Sequence, residues 1–216
     1  MVALPWIGAA LLLLPFLIWP SLDIGAARWF YVPGQGFPAA QEPFLLFVMK
    51  ALPQLIIGAT LLVAALAFYG RWSGRPILGL MPRHAAFLLL ALVIGPGLIV
   101  NTVFKDHWGR ARPSQIEAFG GPAKFTPFSQ PSEACTTNCS FPSGHASLAF
   151  DTLGFALLAP LAWRKRAVAV AIGIGALVGL MRMAMGAHFL SDVIAAGIVV
   201  TAVTLWARRV TVGRYG

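Results

Sequence analysis

Apolar runs, each close to the length of a membrane span, alternate along this chain with short polar segments. The first run, Leu4 to Trp19, predicts a helix, since a span needs about 20 residues and the flanks supply the remainder. It has no basic n-region of the kind that opens a signal peptide, so it reads as a retained helix. Ser21 to Pro43, with Asp23, Arg28, Glu42 and several Gly and Pro residues, reads as a loop with a short interfacial helix around Trp29-Phe30-Tyr31. From Phe44 to Tyr69 the chain is apolar again. Lys50 and Pro53 break that run and predict an interfacial turn before a second span that begins near Leu55. The next loop holds Arg71, Arg75, Arg83 and His84, and a third span runs from about Ala85 to Val103.

The segment from Lys105 to Ser140 is rich in Pro, Gly, Ser and Thr. Irregular backbone of that kind has no partners in lipid, so it predicts an extramembrane loop or cap. A fourth span begins at Pro142 or Ser143 and runs to Trp163, where Arg164-Lys165-Arg166 stops it. The fifth covers Ala167 to about Met185 and the sixth about Phe189 to Trp206, followed by Arg208, Arg209 and Arg214. The expected fold is all-α: a bundle of six transmembrane helices forming a single membrane-embedded domain over 1–216, with a periplasmic cap between helices 3 and 4.

Composition agrees with that reading, for 58% of the 216 residues are hydrophobic and only 11% charged, where soluble domains average about 25% charged. The net charge of +9 raises nucleic acid as a partner. The basic residues, however, lie in short groups beside apolar runs, with no basic stripe, so no nucleic-acid partner is expected. Six spans place both termini on one side, and the loops of that side carry nine of the sixteen basic residues: Arg71, Arg75, Arg83, Arg164, Lys165, Arg166, Arg208, Arg209 and Arg214. The positive-inside rule then makes the termini cytoplasmic. Cys135 and Cys139, the two cysteines, fall in the outward loop, where either a disulfide or two free thiols is compatible with the sequence.

Three polar clusters sit at the ends of apolar runs on the outward side: Lys105 to Pro113, Pro142 to His145, and Arg182 to Asp192. In the first, Lys105 and Arg112 are suited either to anchoring a helix end or to holding a phosphate, which a guanidinium clamps through two parallel bonds and an ammonium attracts as a point charge. Arg110 and His107 read as rim residues. In the second, Pro142 predicts a helix start, so that Ser143, Gly144 and His145 occupy a first turn whose N–H groups lack intrahelical partners. Such a turn binds anions, and Gly144 admits an oxyanion close to the backbone. In the third, His188 and Asp192 are spaced i, i+4 and share a helix face, so the carboxylate can fix the imidazole tautomer and leave one ring nitrogen free to attack. Two ligands do not make a metal site, and neither metal nor cofactor is expected.

Lysine, six residues and Arg-Pro; then Pro-Ser-Gly-His; then Arg, five residues, His, three residues and Asp: this pattern, Lys105 to Asp192, resembles the type 2 phosphatidic acid phosphatase family of integral membrane lipid phosphatases, related in architecture to the vanadium haloperoxidases. The resemblance implies metal-independent hydrolysis in two steps. Lys105, Arg112, Arg182 and the backbone at Ser143 and Gly144 would cradle the phosphate. His188, oriented by Asp192, would be the nucleophile, and His145 would protonate the leaving oxygen and later activate water. The family usually has Ser before the arginine of the third motif, where this chain has Met181, so one hydroxyl donor is missing.

The expected partners are therefore a lipid phosphate and the bilayer, with no obligate protein partner, at the periplasmic face of a bacterial inner membrane. The segments Gly109 to Pro113 and Asn138 to Ser143 resemble those of bacterial members that act on lipid A. Undecaprenyl diphosphate, phosphatidylglycerol phosphate and phosphatidic acid compete as substrates. A transporter that binds an anion without hydrolysing it is the alternative of another class, since intramembrane His, Asp and Arg also mark ion pathways. It is disfavoured by ionisable groups gathered at one face and by the lack of evident inverted repeats.

Overall fold

The computed structural model describes residues 11–213. Among them all regular structure is helical apart from the isolated bridges Val32–Gly36 and Ile116–Ala123. In chain order the helices are α1 (Leu14–Ile18), α2 (Ser21–Arg28), α3 (Pro43–Trp72), α4 (Pro82–Leu92), α5 (Gly144–Asp151), α6 (Leu153–Leu158), α7 (Leu161–Ala184) and α8 (Leu190–Thr211), with short 3₁₀ turns in the loops. A π-helix, Val93–Phe104, extends α4 and leads into a last turn at Lys105–His107. Among the described residues, α3, α4 with its π-helical extension, α7 and α8 are the four helices long and apolar enough to cross a membrane. Their outward faces expose Leu55, Leu61, Leu62, Phe68, Ile172 and Leu177, a surface suited to acyl chains rather than water.

Several elements depart from the sequence expectation. The Leu4 to Ala10 part of the first run and Arg214 lie outside the described residues; the rest of that run forms the short α1, which closes at Trp19 before Pro20. The expected interfacial helix lies earlier than Trp29-Phe30-Tyr31, as α2, and it buries Asp23. No turn interrupts Phe44 to Tyr69: α3 continues straight through Pro53. The basic trio Arg164-Lys165-Arg166 does not end a span but opens α7, because Pro160 forces Ala159 into an extended conformation and the chain turns there. The segment expected as the fourth span is broken in two at Thr152.

α8 is the axis of the bundle. Half of its apolar window is buried, against 22% for α3, and it packs on α2, α4, α5, α6 and α7. Close approach depends on small residues: the Phe150 ring of α5 lies where a Cβ on Gly175 of α7 would come within 2.2 Å of it, so a bare backbone seats the ring. The π-helix coincides with Pro96, whose ring lacks an N–H and crowds the carbonyl four residues back. Asn101 Nδ2 donates to the Pro96 carbonyl at 2.7 Å across the widened turn.

The loop between the π-helix and α5 packs back onto α2 and the first turn of α8. Tyr31, Phe37 and Phe119 form a mutual aromatic cluster with centroids 5.0 to 5.5 Å apart. Trp108 Nε1 donates to the Phe128 carbonyl at 2.8 Å. Gly109 has φ +66°, and a Cβ there would collide with the Ser132 carbonyl, which is how the chain turns sharply enough to deliver Arg110 inward. Cys135 and Cys139 are joined in a disulfide.

Candidate active site

Three elements converge at the end of the bundle where this loop sits. α5 begins at Gly144, not at Pro142. Ser143 is its N-cap, with Oγ accepting from the Ala146 N–H at 3.4 Å, and Pro142 stands just outside the helix. The Ser143 N–H donates to the Asp192 carbonyl at 3.2 Å, which ties this helix start to the first turn of α8. A Cβ on Gly144 would lie 2.5 Å from Asn101 Oδ1 and 3.1 Å from Lys105 Nζ. The ammonium at the end of the π-helix therefore faces the bare backbone at the start of α5, an arrangement that accommodates an oxyanion.

His188 precedes α8 and is fully buried. Its Nδ1 donates to the Ser140 carbonyl at 2.6 Å, while the Asp192 carboxylate is 3.8 Å away, beyond hydrogen-bond length. The expected direct hold of Asp192 on the imidazole is thus largely indirect: Ser140 Oγ donates to Asp192 Oδ2 at 2.5 Å, so the residue that grips the carboxylate also presents the carbonyl to the ring. The Phe189 N–H donates to the same oxygen at 2.8 Å, which fixes Asp192 in the first helical turn. With Nδ1 carrying the proton, Nε2 is the basic nitrogen, and it has no hydrogen-bond partner among the described residues. Burial lowers the His188 pKa to about 4, against the opposing pull of Asp192 and with help from the Arg182 and Lys105 charges. The ring is neutral at physiological pH.

Behind Asp192 stands Arg110, which from sequence alone reads as a rim residue. Arg110 is fully buried. Its guanidinium bridges two carboxylates, through Nη1 to Asp192 Oδ1 and through Nη2 to Asp23 Oδ2 at 2.7 Å. It also donates to Ser191 Oγ at 2.9 Å and from Nε to the Thr126 carbonyl at 2.9 Å, and it lies over the Phe189 ring at 4.3 Å. A charge with this many partners is stable inside the protein, where an unpaired one is not. Asp23 accepts further bonds from the Ser191 N–H at 2.9 Å and Ser191 Oγ at 2.5 Å. Burial nonetheless pushes the Asp23 carboxyl above the usual carboxylate range, against the opposing Arg110 charge. His107, by contrast, is exposed and bonds to the Val103 carbonyl.

His145 is held from an unexpected direction. Pro53 lies inside α3 and cannot donate to the carbonyl four residues earlier, that of Met49. That carbonyl accepts instead from His145 Nε2 at 3.1 Å, leaving Nδ1 as the nitrogen available to a substrate. Arg182, in the last turn of α7, has no carboxylate within ion-pair distance among the described residues. Its Nε has no hydrogen-bond partner there, and Nη1 reaches only the Met185 sulfur at 3.7 Å. Arg112 donates to the Asn138 carbonyl at 2.7 Å, and burial lowers its pKa. It is close enough to Arg182 for the two charges to repel, and Lys105 and Arg182 both act on His145 and His188. Three cations around two neutral imidazoles, with the carboxylates turned away toward Arg110, form a pocket of net positive charge suited to a dianion. Among the described residues no group of three or more His, Cys, Asp or Glu is placed to hold a metal ion.

Asp23, Arg110, Ser140, Ser191 and Pro53 are participants that sequence reasoning missed. Arg110 carried the clearest signal, since a charge two residues before Arg112, beside a glycine, was already inside a motif.

The helical membrane fold and this arrangement define a family, and the chain belongs to it: the PAP2 superfamily pattern matches residues 85–215. Among its relatives, a lipid A 4'-phosphatase of Francisella tularensis subsp. novicida is 40% identical over 190 residues, covering 86% of this chain and 84% of that protein. A lipid A 4'-phosphatase of Rhizobium leguminosarum is 33% identical, covering 88% and 86%. The fold resembles the crystal structure of a transmembrane PAP2-type phosphatidylglycerolphosphate phosphatase from Bacillus subtilis, at a TM-score of 0.59 and 21% identity over 95% of this chain and 91% of that one.

Proposed function

We propose that this protein is a membrane lipid phosphatase that removes a phosphate from lipid A through a phosphohistidine intermediate. The observation that carries the mechanism is the state of His188: neutral, its Nδ1 proton committed to the Ser140 carbonyl, its Nε2 unpartnered and buried. Such a nitrogen is a nucleophile already in the required tautomer. Relatives named lipid A 4'-phosphatases, alike over most of the chain, support the substrate.

Nε2 of His188 attacks phosphorus. The P–O bond to the lipid breaks, and the leaving oxygen takes the proton on His145 Nδ1, which the ring draws from solvent when the bound phosphate dianion favours its imidazolium form. Lys105, Arg112, Arg182 and the helix start at Gly144 stabilise the charge spread over the phosphoryl oxygens, while the Ser143 N–H, given to the Asp192 carbonyl, holds that helix start in place. His145, now neutral, accepts a proton from water as that water attacks the phosphohistidine, and inorganic phosphate leaves with His188 restored. No step requires a metal ion. Asp192 supports the positive charge that the His188 ring acquires during attack.

The reading includes a six-span topology in a bacterial inner membrane, with the 144–158 segment and the N-terminal run completing the spans, cytoplasmic termini, and a site under a periplasmic loop. The distribution of arginines supports this orientation.

The test is phosphate release by the purified protein in detergent from lipid A, undecaprenyl diphosphate, phosphatidylglycerol phosphate and phosphatidic acid, with His188→Ala as control. Release from lipid A above the others, lost in the control, is expected. An active control would overturn the nucleophile assignment, and preference for another lipid would overturn the substrate.

A further inference from the structure

We propose that Asp23, on α2 and outside the segment that matches the family, is a positioning residue for catalysis, acting on His188 through Arg110 and Asp192. The inference rests on the reading of His188 as nucleophile.

Asp23 is 1% exposed and is 87 residues from Arg110 and 168 from Ser191 in sequence, yet it bonds to both. Four links join it to the reacting ring. Asp23 Oδ2 accepts from Arg110 Nη2; Arg110 Nη1 donates to Asp192 Oδ1; Asp192 Oδ2 accepts from Ser140 Oγ; and the Ser140 carbonyl accepts from His188 Nδ1. Arg110 closes a further bond by presenting its own carbonyl to the Ser140 N–H at 2.8 Å. Every member of this chain is buried, and the Ser191 hydroxyl bridges its far end by accepting from Arg110 and donating to Asp23.

Two physical consequences follow. With Asp23 ionised, the set Asp23, Arg110 and Asp192 carries one net negative charge behind an imidazole that becomes positive as Nε2 attacks, whereas without the Asp23 charge the set is neutral. A charge placed there is weakly screened, so it acts on the transition state. Geometry is the second consequence. Asp23 draws one arm of the planar guanidinium away from Asp192, so that Arg110 takes only Oδ1 and leaves Oδ2 to Ser140 and the Phe189 N–H. Lacking that pull, the fork can take both oxygens of Asp192 and displace Ser140, the residue that sets the His188 tautomer.

A residue that merely stapled α2 to the bundle would change the amount of folded protein, not the turnover of each folded molecule. Asp23→Asn keeps the shape and removes the charge. It is expected to lower kcat by about 10- to 100-fold at unchanged KM, with an unfolding midpoint in detergent close to wild type. The uncharged variant Ser191→Ala deletes the bridging hydroxyl and is expected to lower kcat several-fold with KM unchanged. Wild-type kcat in folded Asp23→Asn, or in Ser191→Ala where the first variant does not fold, would overturn the proposal, as would a loss confined to KM or one matched by a smaller folded fraction. A readout without turnover separates this from the assignment of the reaction. In protein labelled with ¹⁵N-histidine, the Nδ1–H signal of His188, assigned by its loss in His188→Ala, is expected to shift in Asp23→Asn. An unchanged signal would overturn the positioning role whatever the enzyme's substrate proves to be, and an active His188→Ala would overturn only the nucleophile reading.

Discussion

His188 Nδ1 lies 2.6 Å from the carbonyl of Ser140 and 3.8 Å from the carboxylate of Asp192, so the imidazole is oriented by a backbone oxygen that the aspartate holds in place. This separates two effects of Asp192 that a direct bond would merge. On the proposed mechanism its charge supports the developing imidazolium, and its grip on Ser140 Oγ sets the carbonyl. Asp192→Asn is expected to lower kcat by on the order of 10²-fold or more, because both effects are lost. Ser140→Ala loses only the grip and is expected to cost about tenfold. Steady-state kinetics of the two variants at saturating substrate decides between this arrangement and direct contact, for which Ser140→Ala would be nearly silent.

With His188 as the proposed nucleophile, a pH dependence of activity follows. Burial holds its pKa down to about 4, so the ring stays neutral and nucleophilic well below the usual histidine range and is lost to protonation as pH falls through about 4. The acid limb of kcat/KM assigned to His188 should therefore lie near pH 4, not near the 6.5 of an unperturbed histidine. Profiles measured between pH 3.5 and 8 on an uncharged detergent surface would show it, and a limb near 6.5 that moves when His188's surroundings are altered would contradict the buried neutral state.

Gly144 tests the phosphate cradle. A methyl group there would meet Asn101 Oδ1 at 2.5 Å and Lys105 Nζ at 3.1 Å, so it would push the ammonium away from the helix start. Gly144→Ala is expected to lower kcat/KM by about 10²-fold and to weaken inhibition by inorganic phosphate in parallel. Loss of turnover with unchanged phosphate inhibition would place the anion elsewhere.

Much of the fold was legible because the bilayer imposes length: α7 and α8 fall where the apolar runs place them, and each polar cluster lies beside a helix end. The misreadings have particular causes. Pro53 signalled a turn because proline removes a helical bond, but His145 takes up the carbonyl it leaves behind, and α3 continues. Arg164-Lys165-Arg166 signalled the end of a span, but Pro160 sets the boundary and the charges ride on the next helix. That Lys105, Arg112, Gly144, His145, Arg182, His188 and Asp192 would gather at one end of the bundle was legible from the motif spacing. Asp23 was not, because a single aspartate in a Gly- and Pro-containing segment reads as a loop residue, and only the tertiary path of α2 brings it to Arg110. Arg110 looked like a rim residue because a charge beside Gly109 in a polar loop is normally solvated, and the two carboxylates that allow its burial are distant in sequence.

Pro53 provides the remaining prediction, in which stability and activity are expected to part. An alanine at 53 restores an N–H aimed at the Met49 carbonyl, which now accepts from His145 Nε2 at 3.1 Å. Proline in a helix interior costs about 3 kcal/mol relative to alanine, so Pro53→Ala should unfold at the same or a higher temperature. The new donor competes for the oxygen that orients His145. Turnover should therefore fall several-fold while KM stays near wild type, since the cradle of Lys105, Arg112 and Arg182 is untouched. Substituting Leu55, on the same helix and 67% exposed, with alanine is the control and should leave kcat unchanged. A Pro53→Ala enzyme with full turnover would show that His145 does not need this carbonyl, and its function would then rest on the α5 helix start alone.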